Sequence, residues 1–205
     1  MRLLTGIAAG YLIGSIPFAI LIARRVANFD TLRHGTRNPG ATNVFKHVGM
    51  ISGAAVGLLD YFKALVPALV ARFYFDFSFF EAASVSIAAV LGHDFSIFLK
   101  FRGGKGGAST MGVFSFLDFP ALALTGILWA AALPFTPGKR FLIGTGSLAL
   151  FPLLTALHLS PWGASLFPSS RPPGYQAVAI GAFLVALAWW RIGLARRTTA
   201  TRGTA

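Results

Sequence analysis

The chain has 205 residues, of which 55% are hydrophobic and only 12% charged, whereas a soluble domain of this size usually carries about 25% charged residues. Its formal charge of +12 arises from 18 Lys and Arg against 6 Asp and Glu, and on so apolar a chain it points to anionic lipid headgroups and phosphorylated substrates, not to nucleic acid. Cysteine is absent, which excludes disulfides, thiolate metal sites and cysteine nucleophiles.

The first apolar run, Leu3 to Ala23, is long enough to cross a hydrocarbon core of about 30 Å at about 1.5 Å per residue. It exceeds the roughly 7 to 15 apolar residues of a cleavable signal, and Arg24 and Arg25 close it. One permanent first helix is expected. The segment LRHGTRNPGATNVFKHVG, Leu32 to Gly49, then sets Thr36, Asn38, Thr42 and Asn43 among Arg33, Arg37 and Lys46. Asn-Pro-Gly predicts a tight turn, and neutral hydrogen-bonding side chains suit hydroxyl and phosphate oxygens. On these residues alone, an ordinary cytoplasmic loop fits equally well.

The second run, Val48 to Phe73, carries Asp60 and Lys63 three residues apart, hence on one helical face. Ionisable groups inside a membrane are costly, so these two are expected to pair and to organise a cavity. The third run, Phe77 to Leu99, ends in LGHDFSIF, with His93 and Asp94 just before FRGGKGGAST at 101–110. In that loop Gly103, Gly104, Gly106 and Gly107 lack Cβ atoms, so successive backbone N–H groups can turn toward one anion. A helix starting near Ala108 to Thr110 adds its N-terminal dipole and the hydroxyls of Ser109 and Thr110, and Lys105 adds a full charge. Leu99 and Gly106 rule out a Walker A loop. A flexible basic turn held at lipid headgroups is the plain alternative.

Four further runs follow: Ala108 to Leu117, Ala121 to Phe135, Phe141 to Leu159 and Tyr175 to Trp190. Asp118-Phe119-Pro120 reads either as a hairpin tip, giving seven spans, or as a kink, giving six. With the N-terminus outside and seven crossings, only Arg2, Arg72 and Arg171 fall outside, Lys63 lies within a span, and every other cation faces inward. The expectation is an all-α integral membrane protein of seven transmembrane helices, with a cytoplasmic C-terminus. Residues 1–195 form one polytopic domain and 196–205 a short basic, disordered tail. Three basic, glycine-bearing loops then share one membrane face: Arg25 to Gly49, Lys100 to Gly107 and Pro137 to Gly144. The four His and six carboxylates form no evident metal-ligand cluster, and no cofactor is expected.

Taken in order, YLIGSIPFAILIAR, GTRNPGATNVFKHVG, LLDYFKALVPAL and LGHDFSIFLKFRGGKGGAST resemble the PlsY family of bacterial acyl-phosphate:glycerol-3-phosphate acyltransferases, over roughly residues 10 to 112. The resemblance implies a seven-helix inner-membrane enzyme with its site facing the cytoplasm. Such an enzyme moves a fatty acyl group from acyl phosphate to the 1-hydroxyl of glycerol 3-phosphate, giving lysophosphatidate and phosphate. It places Gly103, Gly104, Lys105 and Gly106 in a phosphate-cradling loop, Asn38 and Asn43 in the first polar motif, and His93 at the entry to the second. Thr36, Asn38, His93 and Lys105 are then the candidate catalytic residues. Asn43, Lys46, Gly103, Gly104, Gly106, Ser109, Lys139, Arg140 and Arg191 are the candidate substrate-binding residues.

Some positions depart from the family pattern. Gly35-Thr36-Arg37-Asn38 stands where the family usually has Gly-Ser-Gly-Asn, and Lys46 where it tends to have Arg. Ile143 occupies the expected Ser of the third motif, with Thr145 or Ser147 as substitutes, and Ile192 follows Arg191 where the family often has His. These changes leave two other readings open: a paralogue with a different acceptor, and a non-catalytic lipid- or phosphate-binding membrane protein. The expected partners are the two substrates, the bilayer and the soluble enzyme that makes acyl phosphate.

Overall fold

The computed structural model describes residues 1–132, 134, 149–161, 177–178 and 180–187, and every regular element among them is helical. In chain order these are α1 (Arg2–Ser15), α2 (Phe18–Ala27), α3 (Ala41–His47), α4 (Met50–Phe73), α5 (Phe79–Asp94), α6 (Gly107–Leu117), α7 (Phe119–Ala132) and α8 (Leu150–Leu159). A single 3-10 turn, Ile97–Leu99, follows α5, and residues 180–187 are helical. The expected site residues Lys139, Arg140 and Arg191, the third-motif positions Ile143, Thr145 and Ser147, and the tail 196–205 lie outside the described residues. The chain divides into two compact units, Met1–Phe116 and Leu117–Ala205.

The first apolar run is not one helix, as expected, but two. Proline has no N–H to donate, and its ring drives the preceding residue out of helical backbone. Ile16 accordingly sits at φ −59° and ψ 120°. The carbonyls released at the break are taken by side chains from elsewhere in the unit. Ser96 donates its hydroxyl to the Ser15 carbonyl at 2.6 Å, and Lys63 donates its ammonium to the Ile16 carbonyl at 3.0 Å. The broken stretch Arg2–Ala27 is still long and apolar enough to cross a membrane, as are Met50–Phe73 and Phe79–Leu99.

Close backbone approach holds α1 on α5. Gly6, Gly10 and Gly14 recur every fourth residue and so line one face of α1. A Cβ on Gly10 would strike the Val85 carbonyl, one on Gly14 the Ala89 carbonyl, and one on Gly92 of α5 the Tyr11 carbonyl. Helices in lipid gain little by hiding apolar side chains from one another, so they associate through this kind of small-residue seam. α5 is tied to α4 by the buried Ser86 hydroxyl, which donates to the Ala64 carbonyl at 2.6 Å. α2, α3 and α4 meet around the buried residues Ala19, Ala23, Val44 and Val56.

The outward faces are as apolar as the inward ones. On α4, Leu58, Phe62, Val66 and Val70 are exposed along the same helix that buries Val56, Ala64 and Ala68. A helix hydrophobic all round belongs in lipid. The chain is therefore a helical membrane protein.

In the second unit α7 starts immediately after Asp118, so the expected interruption at Asp118-Phe119-Pro120 is present. Asp118 accepts the Ala121 N–H at 3.1 Å, which caps α7, while Pro120 stands in the first turn, where its missing N–H costs nothing. The His158 ring on α8 lies 3.0 Å from the same buried carboxylate and fastens α8 to the start of α7.

Gly14→Val is expected to lower the unfolding midpoint in detergent, because overpacking of a tight seam costs about 1–3 kcal/mol. Gly126→Ala, where an added Cβ meets nothing within 4 Å, is the control and should leave the midpoint unchanged or raise it.

Candidate active site

The 28–40 loop is shaped from below by one buried side chain. Asn43, on α3, accepts the Thr36 N–H on its Oδ1 at 3.0 Å. Its amide nitrogen donates to the carbonyls of Thr31 at 3.0 Å, His34 at 3.2 Å and Asn38 at 3.2 Å. The amide that was expected to meet a substrate is thus engaged with the loop backbone, and Thr36 is left exposed at the surface of that loop. Asp30 adds a second staple by accepting the Leu32 N–H at 2.9 Å. That hydrogen bond, and then the Arg24 guanidinium, hold the Asp30 carboxyl below the usual carboxylate range. Phe29 stacks on the His47 ring with centroids 5.6 Å apart.

Two residues of this loop have left-handed backbone, Gly35 at φ +63° and Arg37 at φ +53°. Gly35 suits its conformation. Arg37 does not: an L-residue there crowds its own Cβ against the backbone. Arg37 is exposed, and so is Lys46 in the last turn of α3. Asn38 is half-buried, and Pro39 next to it is buried.

The glycine loop is seated differently from expectation. Gly103 donates its N–H to the Asp94 carbonyl at 3.1 Å and Gly104 donates to the His93 carbonyl at 2.9 Å. Those two amides therefore close the end of α5 instead of turning toward an anion, which is the natural use of N–H groups beside unsatisfied C-terminal carbonyls. Gly104 must lack a side chain, because a Cβ there would overlap the His93 imidazole at Nε2. Gly106 is left-handed at φ +73° and packs on the Asp94 carboxylate. α6 begins at Gly107, so the N–H groups of its first turn have no helical acceptor behind them and carry the positive end of the dipole. Lys105 is half-buried between these two parts of the loop. Ser109 is buried and donates its hydroxyl to the Asp60 carbonyl at 2.9 Å, fixing α6 on α4.

Below the loop lies the pair expected from the spacing of Asp60 and Lys63. Lys63 Nζ is 2.8 Å from Asp60 Oδ1, with both side chains buried. His93 Nδ1 is 3.5 Å from the same oxygen. These groups line a small recess, open to the surface, together with Ser15, Ile16 and Pro17 of the helix break, Pro39 of the first loop, and Ser96, Leu99 and Gly104 of the second. The recess brings both polar motifs together within one unit, at the point where the first membrane stretch is interrupted. Asp60 and Lys63 were expected as the pair that organises a cavity, whereas Ser15, Pro17 and Ser96 were not among the expected site residues. The signal for the break was the proline in the middle of an apolar run.

A buried ion pair, a break in a helix, an imidazole and a glycine loop before a helix N-terminus converge on this recess. A profile of the glycerol-3-phosphate acyltransferase family matches residues 4–197. A glycerol-3-phosphate acyltransferase of Thermus thermophilus is 41% identical over 153 residues, covering 74% of this chain and 75% of its own. One of Halalkalibacterium halodurans is 37% identical over 160 residues, covering 76% and 75%. Among solved structures, the glycerol 3-phosphate form of PlsY, an integral membrane glycerol 3-phosphate acyltransferase, superposes with a TM-score of 0.76 at 27% identity, covering 98% of this chain and 93% of that one. The lysophosphatidic acid form gives a TM-score of 0.74 at 26% identity over the same shares. The match runs through both loops and the broken first stretch, and the chain belongs to the glycerol-3-phosphate acyltransferase family.

Proposed function

We propose that this protein is an acyl-phosphate-dependent glycerol-3-phosphate acyltransferase of the bacterial inner membrane. Seven spans place its N-terminus outside, and its site and C-terminus in the cytoplasm. The observation that supports the reading is the convergence of His93, Gly104 and Pro39 on one recess beside Lys63, in a chain whose relatives are glycerol-3-phosphate acyltransferases.

The acyl phosphate lies with its chain in the apolar helix surroundings and its phosphate at the Lys105 to Gly107 end of the glycine loop. There the first turn of α6 and the Lys105 ammonium favour negative charge. Gly103 and Gly104 contribute by holding the loop down on α5. The acceptor's phosphate is held by cations, with Lys46 and Lys105 as the candidates among the described residues. The acceptor hydroxyl oxygen attacks the acyl carbon, the bond from that carbon to the phosphate oxygen breaks, and phosphate departs with the electron pair and takes up the hydroxyl proton. Phosphate is already a good leaving group, so alignment and charge stabilisation supply most of the catalysis and no acyl-enzyme is required. Thr36, Asn38 and His93 orient the hydroxyl, while Asn43 and Ser109 keep the two loops in place for it.

Purified protein incubated with an acyl phosphate and a panel of phosphorylated and plain alcohols is expected to release phosphate only with glycerol 3-phosphate. Release with another alcohol would change the acceptor, and no release with any would remove the activity. Lys105→Ala is expected to lower transfer about a hundredfold or more without unfolding the protein, and unchanged turnover would remove Lys105 from the phosphate site. Arg37→Gly is expected to raise the unfolding midpoint by relieving about 1 kcal/mol of left-handed strain and to preserve or raise turnover. A large loss would instead make Arg37 a ligand.

A further inference from the structure

Asp60 has no part in the transfer as written above, yet it is among the most enclosed charges of the recess, 2% exposed. Its Oδ1 serves two partners, the Lys63 ammonium at 2.8 Å and His93 Nδ1 at 3.5 Å. The first contact neutralises a cation that also holds the Ile16 carbonyl. The second bears on the imidazole. A neutral histidine carries its proton on one nitrogen or the other, and a carboxylate facing Nδ1 selects the form protonated there. Nε2 is then an acceptor, and that edge of the ring is the one turned to Gly104 at the recess. The neighbouring polar side chains are spent elsewhere. Ser15 donates to the Tyr11 carbonyl, Ser96 to the Ser15 carbonyl and Lys63 to the Ile16 carbonyl.

We propose that Asp60 is a positioning residue for acyl transfer. It holds His93 as the Nδ1–H tautomer, so that Nε2 accepts the hydrogen bond of the acceptor hydroxyl and aims that oxygen at the acyl carbon. This inference rests on the acyltransferase reading and on the place of His93 within it. Removing Asp60 alone would strand a buried ammonium and confuse loss of fold with loss of function. The informative variant is Asp60→Asn combined with Lys63→Met, which removes both charges together.

The test uses the full chain in detergent micelles, with phosphate release for kinetics and nitrogen NMR of labelled histidine for the tautomer. The double variant is expected to stay folded with a lowered unfolding midpoint, since Lys63→Met also takes the ammonium from the Ile16 carbonyl, and its kinetics are read below that midpoint. Its kcat should fall about tenfold or more, while KM for both substrates stays within about twofold. On a His93→Gln background the same two exchanges should cost nothing further, since they act through a ring that is no longer there. The His93 signal should report Nδ1–H in the unaltered protein and a mixture in the double variant. Unaltered kcat in the double variant, a multiplied loss on the His93→Gln background, or an Nε2–H signal in the unaltered protein would each overturn the role. The NMR result decides the matter even where the double variant fails to fold. Absence of transfer by the unaltered protein overturns the acyltransferase reading and this role with it, whereas a fully active double variant overturns this role alone.

Discussion

The ammonium of Lys63 is where the first unit is joined. It lies within a membrane-length helix, neutralised by Asp60 at 2.8 Å, and donates to the carbonyl that Pro17 exposes by breaking the first apolar stretch. A buried charge of this kind is tolerated only with a counter-ion and a hydrogen-bond acceptor, and the helix break supplies the acceptor. The dependence runs both ways, because the Ile16 carbonyl, which also accepts the Phe18 N–H at 3.1 Å, gains a charged donor in the ammonium. Three helices meet around this pair: α4 carries the charges, α5 brings His93, and α6 is pinned to α4 by Ser109 on the Asp60 carbonyl.

Much of this was legible in the sequence, for physical reasons that differ from one element to the next. Long apolar runs announce membrane helices because only their length and hydrophobicity matter, and Met50–Phe73 matches the expected run from Val48 to Phe73 closely at its far end. The Asp60 and Lys63 pair was legible because helical spacing alone puts the two on one face. The glycine loop was legible as a loop, but not in the use of its amides. Whether the N–H of Gly103 or Gly104 faces a ligand or a helix end depends on where α5 stops, and α5 stops at Asp94.

What was missed came from contacts between segments distant in the chain. Ser96 reaches back to Ser15, and the small-residue seam of α1 has meaning only once α5 lies against it. The short helix α3 was read as part of a loop because seven residues carry too little periodicity to stand out. Asn43 was read as a ligand because an Asn in a polar motif and an Asn under a loop look the same in one dimension. The difference is burial, which the local sequence does not encode.

The way Asn43 closes its loop bears on how freely that loop can vary. The amide grips carbonyls of Thr31, His34 and Asn38 and the N–H of Thr36, groups of the main chain that are the same whatever side chain follows. The path of the loop is therefore written on α3, one helix away from the residues that trace it. Exposed side chains such as Thr36 and Arg37 can be exchanged while the trace survives, at no more than the local cost of their own backbone angles. A loop built in this way is a scaffold on which acceptor preference can drift while the recess behind it keeps its shape.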